Sequence, residues 1–201
     1  MDAQSRQLAG RLVYRRRFPA AVSVAGLVLA GGRGARIGGR DKGLVRFRGK
    51  ILAARAAGLL APVCDVVAVS ANRHVSRYAS WADLVTTDRH GGFLGPLAGI
   101  AAGLAAVRTR WLVTCPCDAT GVPADVPGRL LRAARSHGGI TVAVLRDEAR
   151  LQPLLMAVRG NARPGIEAYL ARGGRSVHGW LSTTSVVEVK IRGFIGNRNL
   201  A

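Results

Sequence analysis

Val22 to Ala30 reads VSVAGLVLA, a run without a charged residue, and glycines and arginines follow it at once. A short apolar run bounded by turn residues predicts a strand buried on both faces, as in a parallel sheet. The same pattern returns at Val66–Ala71, Trp111–Cys115, Ile140–Leu145, Leu154–Val158 and Val186–Ile191, with a shorter piece at Leu84–Thr87. Between these runs the apolar positions move to helical spacing. Helices are predicted from a tight turn at Arg48-Gly49 to Leu60, over Leu97–Val107 behind a Gly-Pro start, over Asp125–Ser136 and near Ile166–Arg172. Strands alternating with helices predict βαβ units: a single-domain α/β fold, Rossmann-like, with a mostly parallel sheet and helices on both faces. Residues 23–201 form that domain in this reading, and residues 1–22 are a basic N-terminal extension expected to be poorly ordered.

Ligands of open parallel sheets bind beyond the carboxyl ends of the strands. Sorting the unusual residues by that rule gathers them. The stretch LAGGRGARIGGRDKG (29–43) follows the first strand, Ser70-Ala71-Asn72 follows the second, Asp88 ends the short one and Asp118 follows WLVTC. Glycines after a strand let backbone N–H groups approach phosphate oxygens, while Arg33, Arg36, Arg40 and Lys42 supply charge and directed donors. The loop is not a Walker sequence, because Lys42 follows Asp41 and precedes Gly43. It is not G-x-G-x-x-G either, because Ile37 stands where the third glycine belongs.

Charge widens the choice of partner before narrowing it. The formal net charge is +19 and the pI about 11.7, which favours an anionic partner. Apart from Lys42, Lys50 and Lys190 the positive charge is arginine, scattered except at Arg15-Arg16-Arg17. With aromatic residues at 5%, base stacking has little to rest on, and nucleic acid is not the expected partner. Cys64, Cys115 and Cys117 make no disulfide framework, and Cys115-Pro-Cys117 is too short for the usual zinc pairing. His74, His90, His137 and His178 are isolated in sequence. No apolar stretch has the roughly 18 residues of a membrane span, so no membrane is expected as a partner. Arg15 to Phe18 with the following apolar run resembles a twin-arginine export signal. The run is also accounted for as the first buried strand, and the expectation is a cytoplasmic protein.

The motifs carry a resemblance. LAGGRGARIGGRDKGL is similar to the signature of the molybdenum cofactor guanylyltransferases, within the larger nucleotidyltransferase superfamily. The likeness continues in the family's order at VSANRH (69–74), Asp88, GPLAGI (95–100), CPCD (115–118) and QPLLMAV (152–158). It implies a nucleotidyltransferase fold and transfer of GMP from GTP to the phosphate of molybdopterin, with pyrophosphate released. By matching position it implies GTP binding by Leu29, Ala30, Gly31, Gly32 and Lys42. Nucleotide contacts are implied at Ser70, Asn72, Asp88, Gly95, Pro96 and Leu97, and Mg²⁺ binding at Asp118. Partners implied are GTP, the molybdopterin cofactor and proteins of cofactor biosynthesis and molybdoenzyme maturation.

Departures from the pattern are Ser70 where the family often has asparagine, Ile37 for methionine, and a C-terminal FIGNRNLA. There the resemblance leads one to expect Asn197 and Asn199 near the site and a further helix. The mechanism this implies needs positioning and charge neutralisation more than covalent help. Loop N–H groups and Arg36 hold the β- and γ-phosphates, Lys42 stabilises charge at the α-phosphate, and Mg²⁺ on Asp118 bridges the phosphates; Lys42, Arg36 and Asp118 are the catalytic set. Two alternatives stay open: a related nucleotidyltransferase using CTP or a sugar-phosphate acceptor, and a non-enzymatic polyanion or nucleic-acid binder.

Overall fold

In a computed structural model of the chain, residues 11–15, 21–32, 38–87 and 95–192 are described. The elements in chain order are strands β1 (Arg11–Arg15) and β2 (Val22–Leu29), the two-residue strands β3 (Arg46–Phe47) and β4 (Lys50–Ile51), and helix α1 (Leu52–Leu60). Strand β5 (Val66–Ser70), helix α2 (Val75–Tyr78), strand β6 (Leu84–Thr87), helix α3 (Pro96–Ala106) and strand β7 (Thr109–Pro116) follow. Helix α4 (Val126–Ser136), strands β8 (Val142–Arg146) and β9 (Leu151–Arg159), helices α5 (Arg163–Ala171) and α6 (Val177–Leu181) and strand β10 (Val186–Lys190) complete the chain.

One sheet runs in the order β1-β6-β5-β2-β7-β9-β8-β10. β2, β5, β6 and β7 are mutually parallel neighbours, and β10 is parallel to β8. Only β1 and β9 run against the rest. β2 shows why its residues make a central strand. Val24 and Val28 belong to the core under α1 and α4, Ala25 and Leu27 to the core under α3, α5 and α6. A strand covered on both sides needs apolar residues at every position. Small residues let the helices close in: a Cβ added to Gly103 of α3 would lie 2.8 Å from Leu27 Cδ2.

Two findings differ from the sequence reading. Within the stretch expected to be a poorly ordered extension, Arg11–Arg15 pairs antiparallel with β6. The chain from Ile140 to Arg159 is an antiparallel hairpin, closed by Asp147: its backbone N–H donates to Arg150 O, and its carboxylate accepts from Ala149 N, Arg150 N and Gln152 Nε2. Pro153 falls in a shift of register between β8 and β9, where a residue without an N–H is tolerated. VSVAGLVLA is strand β2, as expected. Among the described residues no helix is long and apolar enough to cross a membrane.

Candidate active site

β2 ends at Leu29 and β7 at Pro116, paired side by side. From β2 the chain passes through α1 to β5, on one side; β7 adds on the other side. Strand order reverses between them, which is where a doubly wound sheet opens a crevice at its carboxyl edge. A cavity of about 330 Å³ lies there.

Leu29, Ala30, Gly31 and Gly32 form its wall on the β2 side, with Ser70 from the end of β5. Gly95 and Pro96 contribute the start of α3, and Pro116, Cys117 and Asp118 the exit of β7. Gly99 completes the junction with β5, because a Cβ there would stand 2.7 Å from Ser70 Oγ. Asn72 stands behind the loop, its amide nitrogen 3.4 Å from where a Gly31 Cβ would be. Leu97 points elsewhere: it is fully buried in the core beneath α3 and does not line the cavity. Arg36, Asp88, Asn197 and Asn199 lie outside the described residues.

Lys42 Nζ, from the far end of the glycine stretch, donates to the Asp118 carboxylate across the cavity floor. Both side chains are partly shielded, 35% and 23% exposed. A cation and a carboxylate held together in the lining of this cavity give a site two handles for moving phosphate charge. Asp118 also faces a second recess of about 310 Å³, lined by Arg150, Gln152 and His178, which shares Pro116 and Leu154 with the first. The carboxylate thus stands at a wall common to two cavities.

Size alone would have pointed elsewhere. A recess of about 650 Å³ runs along α1 and the β3–β4 turn, lined by Arg46, Lys50, Arg55 and Trp81. Among the described residues it is lined by neither Gly31, Gly32 nor Lys42, which line the smaller crevice.

The thiols beside the site are inert. Burial, reinforced by the neighbouring Asp118 charge, pushes Cys117 up to about 12 despite the opposing effect of Lys42. Burial also raises Cys115 far above the ordinary thiol range. Neither is a thiolate at neutral pH. Among the described residues no three His, Cys, Asp or Glu side chains cluster in a way that could hold a metal ion. A single carboxylate suits instead a hard cation that takes one or two carboxylates and completes its shell with water and phosphate oxygens.

The sequence reading singled out Leu29, Ala30, Gly31, Gly32, Lys42, Ser70, Gly95, Pro96 and Asp118, which come together here. It missed Gly99 and Leu154 as cavity lining and did not foresee the partners of Asp41. Tyr78 Oη donates to Asp41 Oδ1 at 2.5 Å, and His74 Nδ1 lies 3.0 Å from Oδ2.

Residues 26–185 match the family model described as the MobA-like NTP transferase domain. A molybdenum cofactor guanylyltransferase of Cupriavidus pinatubonensis is 40% identical over 170 residues, spanning 83% of this chain and 85% of that one. One from Shewanella putrefaciens is 36% identical over 154 residues, 77% of this chain and 78% of that one. Among solved structures, molybdopterin-guanine dinucleotide biosynthesis protein A from Archaeoglobus fulgidus has a TM-score of 0.68 at 24% identity, with 83% of each chain covered, a likeness of fold.

Proposed function

The chain belongs to the MobA-like NTP transferase family, and from that premise we propose that it transfers GMP from GTP to the terminal phosphate of molybdopterin, releasing pyrophosphate. The observation that carries this reading is Asp118, shared by the linings of two cavities and paired with Lys42 in the first of them. A group transfer needs a donor and an acceptor on either side of the moving phosphorus. GTP is assigned to the crevice beside the glycine stretch, and the acceptor to the recess lined by Arg150, Gln152 and His178. The guanylyltransferase relatives support guanine over cytosine.

In this mechanism the N–H groups of Gly31 and Gly32, beyond the Ala30 N–H that is bonded to Ser70 O, approach the phosphates, and Arg36 adds charge at the β- and γ-positions. Lys42 exchanges its Asp118 partner for the α-phosphate region, where negative charge grows as the acceptor oxygen attacks in line. Asp118 is the residue that would hold Mg²⁺. The bound cation would neutralise and orient the triphosphate and ease departure of pyrophosphate. The acceptor phosphate oxygen forms the new P–O bond as the bond to the β-phosphate bridging oxygen breaks. The protonated thiols take no part. We place the reaction in the cytoplasm, with proteins that load cofactor into molybdoenzymes as downstream partners.

The test is pyrophosphate release from GTP, CTP and ATP with and without molybdopterin. Acceptor-dependent release from GTP alone is expected. Equal release from CTP would leave the family standing and overturn the choice of guanine.

A further inference from the structure

Asp41 precedes Lys42, and its side chain is only 6% exposed. It is the N-cap residue of the 3₁₀ turn Lys42–Leu44, yet its carboxylate makes no cap bond to that turn. An aspartate at an N-cap ordinarily accepts from the backbone N–H groups ahead of it. Here both oxygens are turned away, one to the Tyr78 hydroxyl and the other to His74 Nδ1. Tyr78 is fully buried, and burial together with the Asp41 bond holds its phenol protonated, well above its ordinary range. None of these three side chains lines the cavity.

The neighbouring contacts point the same way. Gly43 follows Lys42, and a Cβ there would lie 2.4 Å from the Tyr78 hydroxyl and 3.0 Å from its Cε1. The ring is packed against backbone that only glycine leaves open. Arg73 Nη1 donates to Gly39 O at 2.8 Å. His74 itself adopts φ 48°, the left-handed region that a non-glycine residue rarely occupies. The segment Arg73–Tyr78 therefore grips the chain on both sides of Lys42.

We propose that Asp41, Gly43 and Tyr78 form a seat that fixes Lys42 for phosphate transfer, as positioning residues that never touch the nucleotide. The inference rests on the role given to Lys42 above. A lysine side chain has four rotatable bonds, so its ammonium is only as well placed as the backbone that carries it. Asp41-Lys42-Gly43 then reads as three parts of one device: an anchor, a working cation and a gap for the anchoring ring.

The experiment is a double-mutant cycle between Tyr78→Phe and Lys42→Ala, read in GTP turnover and, by calorimetry, in GTP affinity. Tyr78→Phe keeps the ring but leaves the buried Asp41 carboxylate one donor short, so it should lower the melting temperature and, assayed well below that melt, lower turnover about tenfold. With Lys42 already replaced, adding Tyr78→Phe should change either readout less than about twofold, since residues acting through one another are not additive. Gly43→Ala should impair turnover, and adding Tyr78→Phe to it should restore part, because the hydroxyl that meets the new methyl is gone. Asp41→Asn supplies a second cycle if Tyr78→Phe melts early. An effect of Tyr78→Phe that is the same with and without Lys42, or absent, overturns the seat while leaving the transfer reading intact. Normal turnover of Lys42→Ala alone would overturn the role of Lys42, and the seat with it.

Discussion

Asp118 stands two residues beyond β7, a strand laddered to β2 on one side and β9 on the other, and Cys117 N still donates to Leu29 O past the strand's end. Lys42 stands in a stretch outside the large sheet, anchored instead by side chains from 31 and more residues away: Arg73, His74 and Tyr78. The two groups meet at the same floor by opposite means. Backbone pairing within a buried sheet places the carboxylate, and tertiary side-chain contacts place the ammonium. Chemistry at a strand end inherits its precision from the core. Chemistry on a loop needs braces of its own.

The largest effects should come from removing the groups themselves. Asp118→Asn and Lys42→Ala are each expected to fold and to lose at least about 10²-fold in turnover, the scale of one electrostatic contact to the transition state. For Asp118→Asn, part of the loss should return as Mg²⁺ is raised. Normal turnover at ordinary Mg²⁺ would make the carboxylate a strand terminator and move the metal role to Asp88.

A paired substitution sharpens the contrast between strand and loop. Gly43→Ala disturbs the seat of Lys42, whereas Gly103→Ala drives a methyl into Leu27 beneath the same sheet. The first, which meets Tyr78 Oη at 2.4 Å, should cost stability and also turnover per folded molecule. The second is overpacking, expected to cost about 1–3 kcal/mol of stability with turnover per folded molecule preserved. Denaturant melts and initial rates on the same preparations separate the two. If Gly103→Ala lost turnover as Gly43→Ala does, the division between backbone-placed and brace-placed groups would fail.

That division also explains what the chain alone disclosed. VSVAGLVLA and WLVTC announce buried strands by composition, so their carboxyl ends, and with them Gly31, Gly32 and Asp118, are legible in the sequence. The bonds of Asp41 could not be foreseen, because 33 and 37 residues separate it from its partners and no period links them. Helices α2 and α6 are too short to show a helical repeat; α6 is capped by Ser176, whose side chain accepts from Gly179 N. Strand β9 begins at Leu151, ahead of the expected Leu154, and the register shift opposite β8 makes room for Pro153. RLVYR lost its strand signal inside a run of basic residues.

A smaller effect concerns the thiol between the two arms of the site. Cys117 is raised to about 12 by burial and by the Asp118 charge, so its thiolate becomes abundant only as pH approaches that value. Turnover should therefore be indifferent to iodoacetamide through pH 9, with Cys117 unlabelled by mass spectrometry. Inactivation in step with labelling of Cys117 would mean that this floor is open rather than packed. Smaller still is the stabilisation by nucleotide. At about 100 times its dissociation constant, GTP with Mg²⁺ should add about 2.7 kcal/mol to stability, and CTP less at the same concentration. Equal melting shifts would weaken the guanine assignment.

The most direct measurement follows the α-phosphate. With GTP labelled at the α-phosphorus, Mg²⁺ and molybdopterin, the label should leave GTP for a molybdopterin product at the rate pyrophosphate appears, with none retained on the protein and none transferred by Asp118→Asn at ordinary Mg²⁺. Label released as free GMP at the same rate with or without molybdopterin, or label bound covalently to the chain, would contradict transfer between two cavities across the Lys42–Asp118 wall.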